Sequence, residues 1–103
     1  MSLVQLESFV AVAEEGHVGR AAQRLHVSQP PVTRRIRSLE DELGMELFER
    51  TPRGMRLRPA GRRLLPRARQ ILAQVDALPE SLRRAVPVSE ESDPDAAVSG
   101  GPL

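Results

Sequence analysis

Residues able to hydrogen-bond to the bases and phosphates of a nucleic acid are concentrated in one short stretch of the chain. They are Ser28, Gln29, Thr33, Arg34 and Arg37. A glutamine amide can pair with adenine, an arginine guanidinium can pair with guanine, and a threonine methyl group can contact the thymine methyl. If one helix presents these side chains together, their types favour the recognition of double-stranded DNA.

The sequence contains few residues that could form a catalytic site or a metal site. There is no cysteine, which excludes disulfides and thiolate metal ligands. The two histidines, His17 and His26, are too few to build a metal site with scattered carboxylates. The acids of residues 40–49 lie on a predicted helix exterior with arginines nearby and no pocket, and are interpreted as solvated salt pairs. We therefore expect no enzyme, no metal and no cofactor.

The formal net charge of +1 hides an uneven distribution of charge. All 15 basic residues are arginines at or before Arg84, whereas residues 87–103 contain four acids and no base. A basic body with an acidic tail suggests a polyanionic partner.

Apolar periodicity predicts three helices in the first part of the chain. In the first, Leu6, Phe9, Val10 and Ala13 share one helical face. Ser2 is a plausible cap for this helix, and Gly16 a natural end. The second helix is short and carries its apolar stripe on residues 21, 22 and 25.

The third helix is predicted to begin at Ser28, a good N-cap residue, with Pro30 and Pro31 tolerated in the first turn. Gly44 is placed to end it. Its buried stripe has the spacing four, three, four and consists of Val32, Ile36, Leu39 and Leu43.

The second and third helices, separated by the three residues 26–28, predict a helix-turn-helix. The polar residues named first fall in the N-terminal part of the third helix, the part of a recognition helix that reaches base edges. Arg35 lies further round the same side. The sequence thus predicts a DNA-reading helix.

Residues 47–57 predict a two-stranded hairpin, because short extended runs flank a turn that contains Pro52 and Gly54. Arg53 lies at the tip of this turn. An exposed arginine of this kind can enter a narrow minor groove, where the negative potential is enhanced.

A long fourth helix is predicted from Pro59. Its apolar residues have heptad spacing, typical of a helix that packs against a partner helix: Leu64, Ala68, Ile71, Val75, Leu78 and Leu82. The stripe could instead belong to an intramolecular core, but a helix this long would leave part of it uncovered. Pro66 is expected to bend the helix, and Pro79 to end or kink it.

The resulting fold class is mainly α: a winged helix-turn-helix with a two-stranded wing and a long C-terminal linker helix. The predicted divisions are a DNA-binding domain at residues 1–58, a linker and dimerisation helix at 59–86, and a disordered acidic tail at 87–103. No apolar run is long enough for a membrane span, and the N-terminus lacks signal-peptide features. A soluble cytoplasmic protein is the expectation.

Several blocks of this sequence closely resemble the DNA-binding domain of LysR-type transcriptional regulators. They are residues 9–16, 20–30, 36–44, 47–51 and 60–61. The blocks agree in order and spacing over residues 3 to about 85, which is far more specific than a lone helix-turn-helix pattern.

The resemblance implies a bacterial regulator of a neighbouring gene, dimeric through the linker helix and bound to an inverted-repeat operator. It also implies that Arg53 reaches the minor groove. The residues that it places at the major groove or its edge are Gln29, Pro30, Thr33, Arg34 and Arg37, and Ser28 joins them as a candidate DNA contact.

Two departures from the family pattern bear on function. His17 and Gly19 stand where a Ser-aromatic-Thr segment usually opens the second helix, and a glycine costs about 1 kcal/mol relative to alanine in a helix. The chain also stops before the usual effector-binding domain, so no small-molecule effector site is expected in it. One alternative function remains: a truncated interaction module that pairs with full-length regulators through the linker helix.

Overall fold

Four helices and a two-stranded antiparallel sheet follow one another in residues 1–85, the part of the chain that the computed structural model describes. They are α1 (Leu3–Glu15), α2 (Val18–Leu25), α3 (Gln29–Leu43), β1 (Phe48–Thr51), β2 (Gly54–Leu57) and α4 (Pro59–Ala85). The predicted fold class is confirmed. The predicted acidic tail lies outside the described residues.

The ends of α1 follow from local sequence signals. Ser2 Oγ accepts a hydrogen bond from the Gln5 backbone N–H at 3.2 Å, and Gln5 Oε1 accepts from the Ser2 N–H at 2.8 Å. This reciprocal pair satisfies two N–H groups that the helix leaves without a partner. Gly16 ends α1 and Gly44 ends α3, with φ of 70° and 67° in the left-handed region. The Ser2, Gly16 and Gly44 predictions are confirmed.

The start of α3 differs from the prediction in one respect. Ser28 occupies the N-cap position, but its side chain makes no capping hydrogen bond. A capping hydroxyl accepts from the N–H of the second or third helical residue. Here those residues are Pro30 and Pro31, which have no N–H. The Ser28 hydroxyl is therefore left exposed and without its usual helix partner.

The core lies between α1, α2, α3 and the entry to the hairpin, with Ala68 of α4 against it. Phe9, Val32, Leu39 and Leu47 are almost completely buried there. The Phe9 ring lies 5.4 Å from that of Phe48, at an interplanar angle of 49°. Burial of these apolar groups supplies the main stabilisation of the fold and fixes the uncovered side of α3 toward solvent.

Glu40 joins the end of α3 to the start of β1. Its carboxylate accepts the backbone N–H groups of Leu47 at 2.7 Å and Phe48 at 3.3 Å. The prediction that this acid forms a solvated salt pair is therefore wrong, because the carboxylate binds backbone donors at the entry to the hairpin. Glu46, by contrast, does lie 3.7 Å from a guanidinium nitrogen of Arg58.

Two compact units divide α4 between them. The first extends from Met1 to Leu72, and the second begins at Ala73. In the first, Ala68 is completely buried and Leu64 packs half-buried against the core. The interpretation of Ala68 as a dimer contact is not supported, since its own chain already covers it. The predicted division at residues 58 and 86 stays a prediction.

The second half of α4 continues through Pro79 to Ala85. Of the two outcomes predicted for Pro79, an end of the helix is wrong, and a kink at this residue stays a prediction. Proline fixes a helical φ but removes one backbone hydrogen bond and crowds the preceding turn, so the helix continues through Pro79 at a cost in stability. No helix in residues 1–85 is both long enough and apolar enough to cross a membrane.

Candidate nucleic-acid interface

The polar residues of α3 lie on the sides of the helix that the core leaves open. Val32, Ile36 and Leu39 bury the opposite side. Thr33 is half-buried, and the remaining candidates are exposed: Ser28, Gln29, Pro30, Arg34 and Arg37. The first turn of the helix and the turn after it therefore present donors, acceptors and a methyl group on one surface.

Arg34 and Arg37 carry uncompensated charge. Within residues 1–85, neither guanidinium hydrogen-bonds to another side chain or lies within 4.0 Å of a carboxylate. Elsewhere the arginines are often engaged: Arg24 and Arg69 each lie 2.8 Å from a carboxylate oxygen of Glu14. Exposed positive charge without an acidic partner in residues 1–85 therefore lies on α3, and the hairpin carries more of it at Arg50, Arg53 and Arg56.

Glu14 ties three helices together through those two arginines. The hydrogen bond from Arg24 holds the pKa of the Glu14 carboxyl below its usual range, against the opposing effect of partial burial, and Arg69 lowers it further. The same bond raises the pKa of Arg24. These arginines serve the fold, which sets them apart from Arg34 and Arg37.

Arg35 points away from the candidate interface. Its guanidinium donates to the hydroxyl of Ser8 on α1 at 3.4 Å, and Ser8 is completely buried. The prediction that Arg35 extends the exposed polar surface is wrong. Its side chain satisfies a buried hydroxyl instead.

The hairpin presents Arg53 on a two-residue turn. Thr51 pairs with Gly54 at the end of the ladder, so that Pro52 and Arg53 form the tip. The Thr51 hydroxyl donates to the Gly54 carbonyl at 3.0 Å and accepts the Arg53 N–H at 3.2 Å. The backbone of the turn is thereby fixed, while the Arg53 side chain is exposed.

A backbone hydrogen bond holds the hairpin against the turn between α1 and α2. The Met55 N–H donates to the carbonyl oxygen of Gly16, in the turn between α1 and α2, at 3.0 Å. Gly54 has φ of +127°, and a Cβ there would overlap that same carbonyl oxygen. Glycine is required at this position by its positive φ and by the close approach of the hairpin backbone to the Gly16 carbonyl.

One open cleft joins the wing to the N-terminal ends of α2 and α3. Its walls include His17, Gln29, Arg50 and Arg53. The structure therefore brings two predicted DNA contacts, Gln29 and Arg53, onto one surface. Sequence reasoning missed His17 and Arg50. Arg50 belongs to the basic run of the hairpin, which could have indicated it. The sequence could not place His17 in this cleft, because Gln29, Arg50 and Arg53 come to it from other segments.

The remaining candidate surface is the apolar stripe of α4. Four of its six residues have strongly exposed side chains: Ile71 at 40%, Val75 at 42%, Leu78 at 55% and Leu82 at 53%. Large exposed apolar side chains in heptad register are typical of a helix that meets another helix.

Fold and surface together define a winged helix-turn-helix with an exposed basic recognition helix. The family model "Bacterial regulatory helix-turn-helix protein, lysR family" matches residues 3–62, more than half of the chain. This protein belongs to the lysR family of bacterial regulatory helix-turn-helix proteins, and the resemblance predicted from its sequence is confirmed.

Similar proteins of known name agree with this assignment. The transcriptional regulator TfdS of Cupriavidus pinatubonensis is 63% identical over 60 residues, which are 58% of this chain and 20% of TfdS. The transcriptional regulator IlvR of Caulobacter vibrioides is 49% identical over 84 residues, 82% of this chain and 28% of IlvR. The matched part of the chain thus spans only about a fifth to just over a quarter of the length of these relatives.

A solved structure resembles the fold closely. The complex of CbnR_DBD with DNA superposes with a TM-score of 0.78 at 47% identity, covering 82% of this chain and 98% of that one.

Proposed function

We propose that this chain binds double-stranded DNA sequence-specifically as a homodimer and regulates transcription in the bacterial cytoplasm. The observation that carries the proposal is the exposed side of α3, where Arg34 and Arg37 lack acidic partners within residues 1–85. Its similarity to CbnR_DBD, whose structure was solved with DNA, supports the same function.

The residues divide by the chemistry that each can perform. Gln29, Arg34 and Arg37 read base edges in the major groove, and the Thr33 methyl group contacts thymine. The exposed Ser28 hydroxyl, which the prolines leave without a helix partner, binds a phosphate at the edge of the groove. Pro30 packs against the DNA strand whose phosphate binds Ser28.

Arg53 takes a different groove. The hairpin holds its backbone at the tip of a fixed turn, and the side chain is free to enter the minor groove next to the site read by α3. One subunit would then contact the major groove through α3 and the minor groove through the hairpin.

The homodimer forms through the exposed stripe of α4. Leu64 and Ala68 contribute to the fold of the subunit, so the contacts reduce to Ile71, Val75, Leu78 and Leu82. A two-fold symmetric dimer implies an operator with two inverted half-sites.

Replacement of Arg34 tests the assignment. Arg34→Ala is expected to weaken binding to the operator by about 1 to 3 kcal/mol, roughly 5- to 150-fold, with little loss on scrambled DNA. Arg67→Ala is the matched control, since Arg67 is also exposed but lies on α4. It should leave the ratio of operator to scrambled affinity unchanged. Equal losses on both duplexes for Arg34→Ala would contradict a base-reading role.

A second function has one observation in its favour. Leu78 and Leu82 remain strongly exposed, which suits an interaction module that pairs with another regulator of this family through α4. Such a module predicts heterodimers and weak, unselective binding of DNA by this chain alone.

A further inference from the structure

Gly19, the second residue of α2, lies where two exposed side chains meet. Its backbone N–H donates to His17 Nδ1 at 3.0 Å, which holds the imidazole over the start of the helix. A Cβ on Gly19 would lie 2.9 Å from His17 Cε1, 3.1 Å from His17 Nδ1 and 3.2 Å from Gln29 Nε2. Any larger residue would displace the imidazole, the glutamine amide or both.

The backbone does not require glycine at this position. Gly19 lies inside a helix, where alanine is the better residue, and its φ is not in the left-handed region. Gly54 differs, because a Cβ there would meet the fixed backbone of Gly16. At Gly19 the neighbours are only the far ends of exposed side chains. A substitution would therefore disturb the surface and leave the fold intact.

We propose that Gly19 and His17 fix the position of the Gln29 side chain and thereby determine which base this glutamine prefers. The inference rests on the proposed function, in which Gln29 reads a base. To pair with adenine, an amide must present its oxygen and its nitrogen side by side in one plane. A side chain confined before binding also loses less entropy on docking. The His17 imidazole and the Gln29 amide nitrogen both lie within 3.2 Å of the place that a Cβ on residue 19 would take, so the missing side chain leaves the room in which the two groups are positioned.

The first test needs no DNA. In the full chain labelled with 15N, Gly19→Ala should shift the side-chain amide resonances of Gln29, which are assigned by their loss in Gln29→Ala. The melting temperature should change little, because the better helix propensity of alanine offsets the loss of the His17 cap. Unchanged Gln29 amide resonances would overturn the proposal whatever the protein does on DNA.

The second test is selection from a duplex library with randomised sequence. Gln29→Ala should abolish the base preference at a defined pair, and Gly19→Ala should change the preference at that same pair by at least about fivefold, the lower end of the discrimination of one good contact. His17→Ser, which keeps a capping oxygen but removes the ring, should broaden it.

A double-mutant cycle distinguishes positioning of the Gln29 side chain from a general effect of Gly19→Ala on DNA binding. In the Gln29→Ala background, Gly19→Ala should have no further influence on selection, since it acts through a side chain that is absent. A persistent effect would overturn the proposal. If Gln29→Ala leaves the selected sequence unchanged, base reading by Gln29 fails, a result distinct from failure of the positioning by Gly19.

Discussion

Arginine serves two purposes in this chain, and the neighbours of each guanidinium decide which. Arg24 and Arg69 bind Glu14 and so connect α1, α2 and α4. Arg34 and Arg53 have no such partner within residues 1–85 and remain exposed. Counting charges along the sequence cannot separate these groups, because both consist of the same residue at similar spacing.

The Glu14 pairs predict a pH dependence of stability. Because the folded state lowers the pKa of this carboxyl, the stabilisation is complete above the usual pKa of a glutamate and is lost as the pH falls through the lowered value. Glu14→Gln should cost about 1 kcal/mol or less near pH 7, as for other surface pairs. Urea unfolding at pH 7 and at pH 3 measures this cost. A cost as large at the lower pH as at pH 7 would contradict the assignment.

Arg53 provides a prediction specific to the wing. If its guanidinium lies against phosphates in the minor groove, Arg53→Ala should weaken binding on all duplexes and reduce the slope of log affinity against log salt by about 1. Fluorescence anisotropy across a salt series measures the slope. An unchanged slope would place Arg53 outside the interface.

Among the secondary-structure elements, the helix ends are the features that neighbouring residues in the sequence predict best. The box formed by Ser2 and Gln5 and the glycines that end α1 and α3 follow from neighbouring residues alone. Ser28 has the same chemistry as Ser2 but no capping bond, because the prolines that follow remove the donors.

These two serines form a matched pair for a stability measurement. Ser2→Ala should destabilise the protein by about 1 kcal/mol, the usual value of a side-chain cap. Ser28→Ala should cost only a few tenths of a kcal/mol, since no cap bond is lost. Thermal unfolding of both variants decides the matter, and similar losses would contradict the difference that the structure displays.

The elements that sequence reasoning misjudged share one cause. Periodicity indicated which residues of α3 and α4 are apolar, but not which neighbour covers them. Ala68 and Leu78 belong to the same heptad stripe, yet one is completely buried in its own chain and the other is 55% exposed. Glu40 and Arg35 find their partners in β1 and α1, at separations that no local pattern reveals.

For the whole molecule, the exposed stripe of α4 predicts a dimer. Light scattering at micromolar concentration should give twice the mass of one chain. Leu78→Asp should shift the protein toward a monomer, because it places a charge where apolar side chains meet. Gln74→Asp, an exposed position outside the stripe, is the control and should remain dimeric. A monomeric wild-type protein would contradict the dimer.

The proposed function requires that the protein discriminate between DNA sequences and not only bind the phosphate charge. Fluorescence anisotropy can compare a labelled duplex carrying the region upstream of its own gene with a scrambled duplex, over a series of salt concentrations. We expect tighter binding to the upstream duplex and a steep fall in affinity with salt, as several arginine–phosphate contacts require. Equal and weak binding to both duplexes would contradict sequence-specific recognition and favour the interaction module.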